Sequence, residues 1–127
     1  MKPIKKNYVI NSSPEKVFEA LTIPSLIKSW SGASAKMSAK KGASFSLWDG
    51  DLTGKNTEVV KNKKLMQDWY YGKGKNRWEK PSKVFFTIKA KGAKTVLTLS
   101  HSDVPVSHRK SIDNGWDIYY LGAIKNL

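Results

Sequence analysis

The spacing of hydrophobic and polar positions changes period several times along this chain. Ile4, Tyr8 and Ile10 share one parity, interrupted by Lys6, which predicts an opening strand. The period then lengthens. Val17, Phe18 and Leu21 fall on one helical face, and Leu26, Ile27 and Trp30 on that of a second short helix. Ser13 suits the first N-cap, with Pro14 at the position where a missing N–H does no harm. Ser12 with Glu15 offers a competing capping box. Pro24 opens the second helix and Ser31-Gly32 closes it. From Ala33 onward the period becomes two. Phe45 and Leu47 take one face, and Ser44, Ser46 and Trp48 the other. Asp49-Gly50-Asp51 signals a hairpin. Thr57 to Val60 continue as strand into a turn over residues 61–64. Leu65, Trp69 and Tyr71, then Val84, Phe86 and Ile88, then Leu97 and Leu99 supply further strands, with Gly92 between the last two. Finally Trp116, Tyr119, Tyr120, Ala123, Ile124 and Leu127 recur at helical spacing, with Asp113 ahead of them and Lys125 near the end, as the helix dipole favours. Such a helix is marginal alone in water, and the concave face of the sheet is its natural partner. The pattern predicts an α+β fold: a bent antiparallel sheet wrapped around a long C-terminal helix, with two short helices after the first strand. No repeat or linker interrupts it, so residues 1–127 read as a single domain.

Composition removes several function classes. With 39% hydrophobic and 11% aromatic residues the chain is not disordered. No apolar run approaches the roughly 20 residues a membrane span needs. The charged run from Met1 to Lys6 precedes no apolar stretch, so no secretory signal is expected. Zero cysteines leave no disulfide framework, thiolate ligand or thiol nucleophile, and a cytoplasmic location is expected. The two histidines, His101 and His108, lack ligand spacing, so neither a metal nor a cofactor is expected. The carboxylates are scattered, and the turn accounts for Asp49 and Asp51; no pair suggests glycosidase chemistry.

The net charge of +13 favours polyanionic partners, and residues 61–94 concentrate it, with eleven Lys/Arg against two acids. A solvated lysine face is the plain reading. Within it, Gly72 to Lys80 holds four cations, two glycines and a tryptophan. Lys73, Lys75, Arg77, Lys80 and Lys83 could contact phosphates while Trp78 stacks on a base, although the glycines lack phosphate-loop spacing. Alternatively Trp78 folds back to cap the core, and the cations meet an acidic protein surface. Nucleic acid is the weaker partner, and the short helices carry too few cations to read DNA.

Parity also marks a cavity. Phe45, Trp69, Phe86, Leu97 and Leu99 point at the terminal helix and are faced by Trp116, Tyr119 and Tyr120. Such a lining suits a small hydrophobic ligand, lipid-like or aromatic; the competing reading is a core that fills itself. His101 extends the parity of Leu97 and Leu99. An inward imidazole could hold a ligand or act as an acid–base, but more ordinarily it hydrogen-bonds a neighbour, and no catalytic residue is assigned.

Ser13-Pro14-Glu15-Lys16-Val17-Phe18, Trp30-Ser31-Gly32, Gly42-x-x-Phe45 and Asp49-Gly50 with Gly54 form an ordered series. Leu65 with Trp69, the run Pro81 to Phe86, Thr95-x-Leu97-x-Leu99, and Gly115-Trp116 with Tyr120-Leu121 continue it. Together they resemble the domain family named for the activator of heat shock protein 90 ATPase, over essentially the whole chain. The resemblance implies the helix-grip fold shared with START-type lipid-transfer proteins and the birch-pollen-allergen superfamily, with a hydrophobic cavity under the helix. The function expected is non-enzymatic binding of a small hydrophobic ligand. Two alternatives stand beside it: docking on heat shock protein 90 through the basic surface to stimulate its ATPase, and a cyclase- or hydratase-like enzyme using His101.

Overall fold

The computed structural model describes residues 2–125, so Met1 and Leu127, the last member of the helical stripe, lie outside the described residues. β1 (Ile4–Ile10) leads into α1 (Pro14–Thr22) and α2 (Pro24–Ser31). The Ser13 hydroxyl accepts from the Lys16 N–H, so the Ser13 register wins over the Ser12 capping box. The Trp30 indole donates to the Ala20 carbonyl at 2.9 Å and ties the second helix back onto the first. α2 ends at Gly32, whose φ of 76° is the left-handed conformation glycine adopts freely.

The strands β2 (Ser44–Leu47), β3 (Leu52–Val60), β4 (Lys64–Tyr71), β5 (Ser82–Lys91) and β6 (Lys94–Ser102) pair antiparallel with β1 in the order β1-β6-β5-β4-β3-β2. The alternation read from the sequence holds. Phe45, Leu65, Trp69, Phe86, Leu97 and Leu99 are all buried on the face toward the helices. Lys6, which breaks the parity of β1, reaches the C-terminal helix and bridges Asp113 at 2.6 Å and Asp117 at 2.8 Å. The Tyr8 hydroxyl donates to the same Asp117. A polar position on an otherwise apolar face therefore latches the first strand to the last helix.

Two departures from the expected pattern shape the cavity. Trp48 was expected opposite Phe45 and Leu47. Instead Trp48, Asp49 and Gly50 run successively at φ 48°, 54° and 93°, which reverses the alternation. The Trp48 ring swings inward, to 6.2 Å from Trp30 and 5.9 Å from Tyr120. The second departure lies in the C-terminal helix, which runs as α3 (Arg109–Gly115), a π-helical turn (Trp116–Tyr120) and α4 (Leu121–Ile124). The Leu121 N–H bonds the Trp116 carbonyl, five residues back. In the wider turn Tyr120 completes the circuit and returns to the sheet side with Trp116, whereas Tyr119 falls short and is 65% exposed. Gly122 permits this geometry, since a Cβ there would lie 1.8 Å from the Asp117 carbonyl oxygen.

Gly54 sits between Phe45 and Trp69 in the strand register. A Cβ on it would lie 1.8 Å from the Asp68 carbonyl oxygen and 2.8 Å from the Phe45 ring. Gly54→Ala is therefore expected to destabilise the fold by about 3 kcal/mol in urea unfolding, through overpacking against backbone that cannot yield. An unchanged midpoint would contradict this close approach.

Candidate functional site

Between the β2–β3 connection, β4 and the C-terminal helix lies a half-open cavity of about 370 Å3. Trp48, Asp51 and Leu52 form one wall and Trp69 and Tyr71 the floor. Ser111, Ile112, Gly115, Trp116, Tyr119 and Tyr120 form the helical wall. The floor is rigid because its rings pack on one another. Trp69 and Trp116 stack at 4.8 Å and 24°, and Trp116 and Tyr120 meet at 4.7 Å. Such pairs contribute roughly 0.5–1.5 kcal/mol each beyond the area they bury.

Indoles buried this deeply need acceptors, and a polar relay leads away from each. The Trp116 N–H donates to His101 Nδ1 at 3.0 Å. An indole nitrogen only donates, so Nδ1 is unprotonated and the proton sits on Nε2. His101 Nε2 lies 2.7 Å from the Ser82 hydroxyl, which donates onward to the Trp69 carbonyl. The Trp69 N–H donates to Gln67 Oε1 at 2.8 Å, and Gln67 donates to Asn56 Oδ1 at 3.0 Å. Asn56 in turn donates to the carbonyls of Ser38 and Lys40. The N–H groups of Trp69 and Trp116 are consequently committed inside the protein and not to the cavity. Two buried polar atoms have no hydrogen-bond partner among the described residues: Asn62 Oδ1, in the turn between β3 and β4, and the Tyr120 hydroxyl. Burial, with the neighbouring Tyr71 phenol, pushes its pKa up, and burial does the same to Tyr71, so both remain O–H groups at physiological pH.

Of the residues expected to bind a ligand, Trp69, Trp116 and Tyr120 line the cavity, and Tyr119 stands at its exposed rim and not on the inner face. Phe45, Phe86, Leu97, Leu99 and His101 do not line it; they fill the core around and beneath the floor. His101 is wholly buried and both ring nitrogens are engaged, so it is not placed as an acid–base on a cavity ligand. Among the described residues no three His, Asp or Glu side chains converge to hold a metal. Sequence reasoning missed Trp48, Asp51, Leu52, Ser111, Ile112 and Gly115. Tyr71 carried a signal, because it continues the parity of Trp69.

The basic segment divides in two. Trp78 is half-buried, packed at 4.8 Å on Tyr71 and 5.5 Å on His108, so it caps the structure and leaves the cationic face. Arg77 lies 4.0 Å over the Tyr70 ring on the opposite side of the sheet. Lys73 pairs with Asp51 at 3.4 Å and Lys83 with Asp68 at 2.7 Å, both exposed and contributing little to stability. Lys75 and Lys80 are exposed.

The family model described as Activator of Hsp90 ATPase homolog 1-like protein matches residues 11–127. The activator of 90 kDa heat shock protein ATPase homolog 1 of Mus musculus is 28% identical over 118 residues, covering 90% of this chain and 33% of its own. This chain thus spans about a third of the length of that relative. A crystal structure of an HSP90 activator from Plasmodium falciparum superposes with a TM-score of 0.88 at 25% identity, covering 99% of this chain and 95% of that one. A protein from the dynemicin biosynthetic locus shares the fold, with a TM-score of 0.80 at 20% identity, covering 99% of this chain and 46% of that one. These matches agree with the helix-grip architecture. No helix among the described residues is long and apolar enough to cross a membrane.

Burial lowers the pKa of His101 from its ordinary 6.5 to about 4. The unfolded chain takes up this proton near pH 6.5 and the folded chain only near pH 4. The contribution is fully present above pH 6.5 and is lost as pH falls toward 4, by on the order of 3 kcal/mol. The difference in unfolding free energy between wild type and His101→Asn, measured from pH 7.5 to 4, is expected to shrink across that window. A pH-independent difference would contradict the buried neutral imidazole.

Proposed function

The chain belongs to the family of Activator of Hsp90 ATPase homolog 1-like proteins, and from that membership and the cavity we propose a non-enzymatic binding domain for a small hydrophobic ligand. The ligand lies between the sheet and the C-terminal helix of a single domain over residues 1–127, acting in the cytoplasm. The half-open aromatic cavity carries this reading, because it is walled mainly by ring faces between the sheet and the C-terminal helix. The volume supports it, lying in the range of about 300–1,000 Å3 usual for small-molecule sites. So does the backbone strain of Trp48 and Asp49 at the cavity wall, since left-handed non-glycine residues persist where surroundings over-determine them. Amide chemical-shift titration with a pool of small lipids and aromatic compounds is expected to move resonances of Trp48, Trp69, Trp116 and Tyr120. Gly115 lines the cavity in ordinary helical backbone, and the nearest atom to an added Cβ is 4.0 Å away. Gly115→Leu should keep the fold, fill the space and weaken binding at least tenfold. A pool that moves nothing at the cavity would sink the proposal.

A second reading is supported by the names of the relatives: docking on heat shock protein 90 and stimulating its ATPase through the basic surface. Lys73, Lys75, Arg77 and Lys80 are exposed there, with Lys83 at its edge, while Trp78 is turned away. ATP turnover by heat shock protein 90 is expected to rise on adding the chain. Combined Lys75→Glu, Arg77→Glu and Lys80→Glu substitutions should abolish the rise and leave cavity binding intact. Stimulation unaffected by charge reversal would move the contact elsewhere.

A further inference from the structure

The lining of the cavity points to the charge of its occupant, an inference that rests on the ligand-binding reading. Six of its eleven lining residues are aromatic: Trp48, Trp69, Tyr71, Trp116, Tyr119 and Tyr120. They come from the β2–β3 connection, the sheet and the helix, and their rings stand at several inclinations. Trp48 and Tyr120 meet at 5.9 Å and 57°, and Trp69 and Tyr71 at 6.0 Å and 62°. The face of an aromatic ring is the negative part of its quadrupole, so a space walled by several rings attracts cations without a formal charge. The formal charge among the lining residues belongs to Asp51, at the rim, with its side chain 70% exposed. Lys73 lies 3.4 Å from it, but both partners are exposed, so a competing cation displaces the lysine with little loss. The other polar side chains of the lining, Trp48, Tyr71 and Ser111, are uncharged. The two hydroxyls can turn an oxygen toward a cation.

We propose that the cavity holds a quaternary ammonium group between its rings, with Asp51 as the counter-charge at the rim. A primary ammonium brings three N–H donors, and aromatic walls supply too few acceptors for them. A quaternary ammonium brings none, and its methyl groups pack on ring faces as hydrocarbon does. It engages an indole at the face, so it makes no demand on the Trp48 N–H. The net charge of +13 acts the other way at long range and favours an anion. Local and global electrostatics thus predict opposite preferences, which makes the assignment testable.

Four compounds of related shape separate the features in amide chemical-shift titrations at neutral pH: choline, its uncharged isostere 3,3-dimethylbutan-1-ol, the anion 3,3-dimethylbutanoate, and 2-aminoethanol. Choline is expected to bind about fivefold more tightly than the alcohol, and more tightly than the other two. Tyr119→Leu and Asp51→Asn alter exposed side chains and should keep the fold. Each is expected to weaken choline binding about threefold and leave the alcohol unchanged. Equal binding of choline and the alcohol, or a preference for the carboxylate, overturns the cation assignment. So does a choline preference untouched by both substitutions. Aminoethanol binding as well as choline reduces the contact to an ion pair with Asp51, and the role of the rings falls. Silence from choline while the lipid and aromatic pool shifts the cavity removes this inference alone, and silence from both removes the ligand-binding reading as well. Co-sedimentation with phosphatidylcholine vesicles that free choline abolishes supports the group on a lipid headgroup; choline binding without co-sedimentation supports it on a soluble ligand.

Discussion

Two indole N–H groups lie where water does not reach, and the architecture is arranged around their need for acceptors. Trp69 and Trp116 stack at the centre of the molecule, one from the sheet and one from the helix. Each must hand its proton to a buried partner, or the stack would be destabilised by an orphaned donor. The solutions run in different directions. Trp116 uses His101, Ser82 and a backbone carbonyl, binding the helix across β5 and β6. Trp69 uses Gln67 and Asn56, anchoring the segment that carries Ser38 and Lys40 over the sheet. The same side chains that satisfy the indoles therefore hold the helix and the loop in register. The faces that Trp69 and Trp116 turn toward the cavity are thereby fixed in place.

Much of this fold is legible in the sequence. Alternation gives the strands and the inward face, and the order of periods gives helix, sheet, helix. Ser13, Pro14 and Gly32 mark helix ends by mechanisms that act within a few residues. The cavity is less legible, for two physical reasons. Parity assumes extended backbone, and Trp48 leaves it where left-handed residues invert the alternation. Helical spacing assumes a constant turn, and the π-helical segment gives Tyr120 the inward place while displacing Tyr119 outward. His101 shows a third limit. Its direction was readable from the strand, but whether it faced a ligand or an indole depended on a residue contributed by another element.

The two sides of the molecule pose different chemical questions. Toward the helix, an aromatic cavity offers dispersion, ring faces and a phenol. On the far side, Arg77 and Lys83 extend a basic face over the sheet, with Tyr70 beneath the guanidinium. The two faces share one sheet without being one site. A partner on the far face would leave the cavity open, and a ligand in the cavity would leave Arg77 and Lys83 hydrated.

The latch of Lys6 and Tyr8 on Asp113 and Asp117 bears on how the chain reaches this state. β1 pairs with β6, so Ile4 waits for His101, and its second set of contacts waits for the helix beyond. Closing such long loops before any native contact offsets the lost entropy makes folding slow. During synthesis β1 is made before its partner β6 and stays unpaired until nearly the entire sheet has emerged. Lys5 and Lys6 side by side in that strand keep it charged through the interval, the usual protection of an exposed edge against pairing with the wrong chain. A lysine that ends as a latch begins as a safeguard against aggregation.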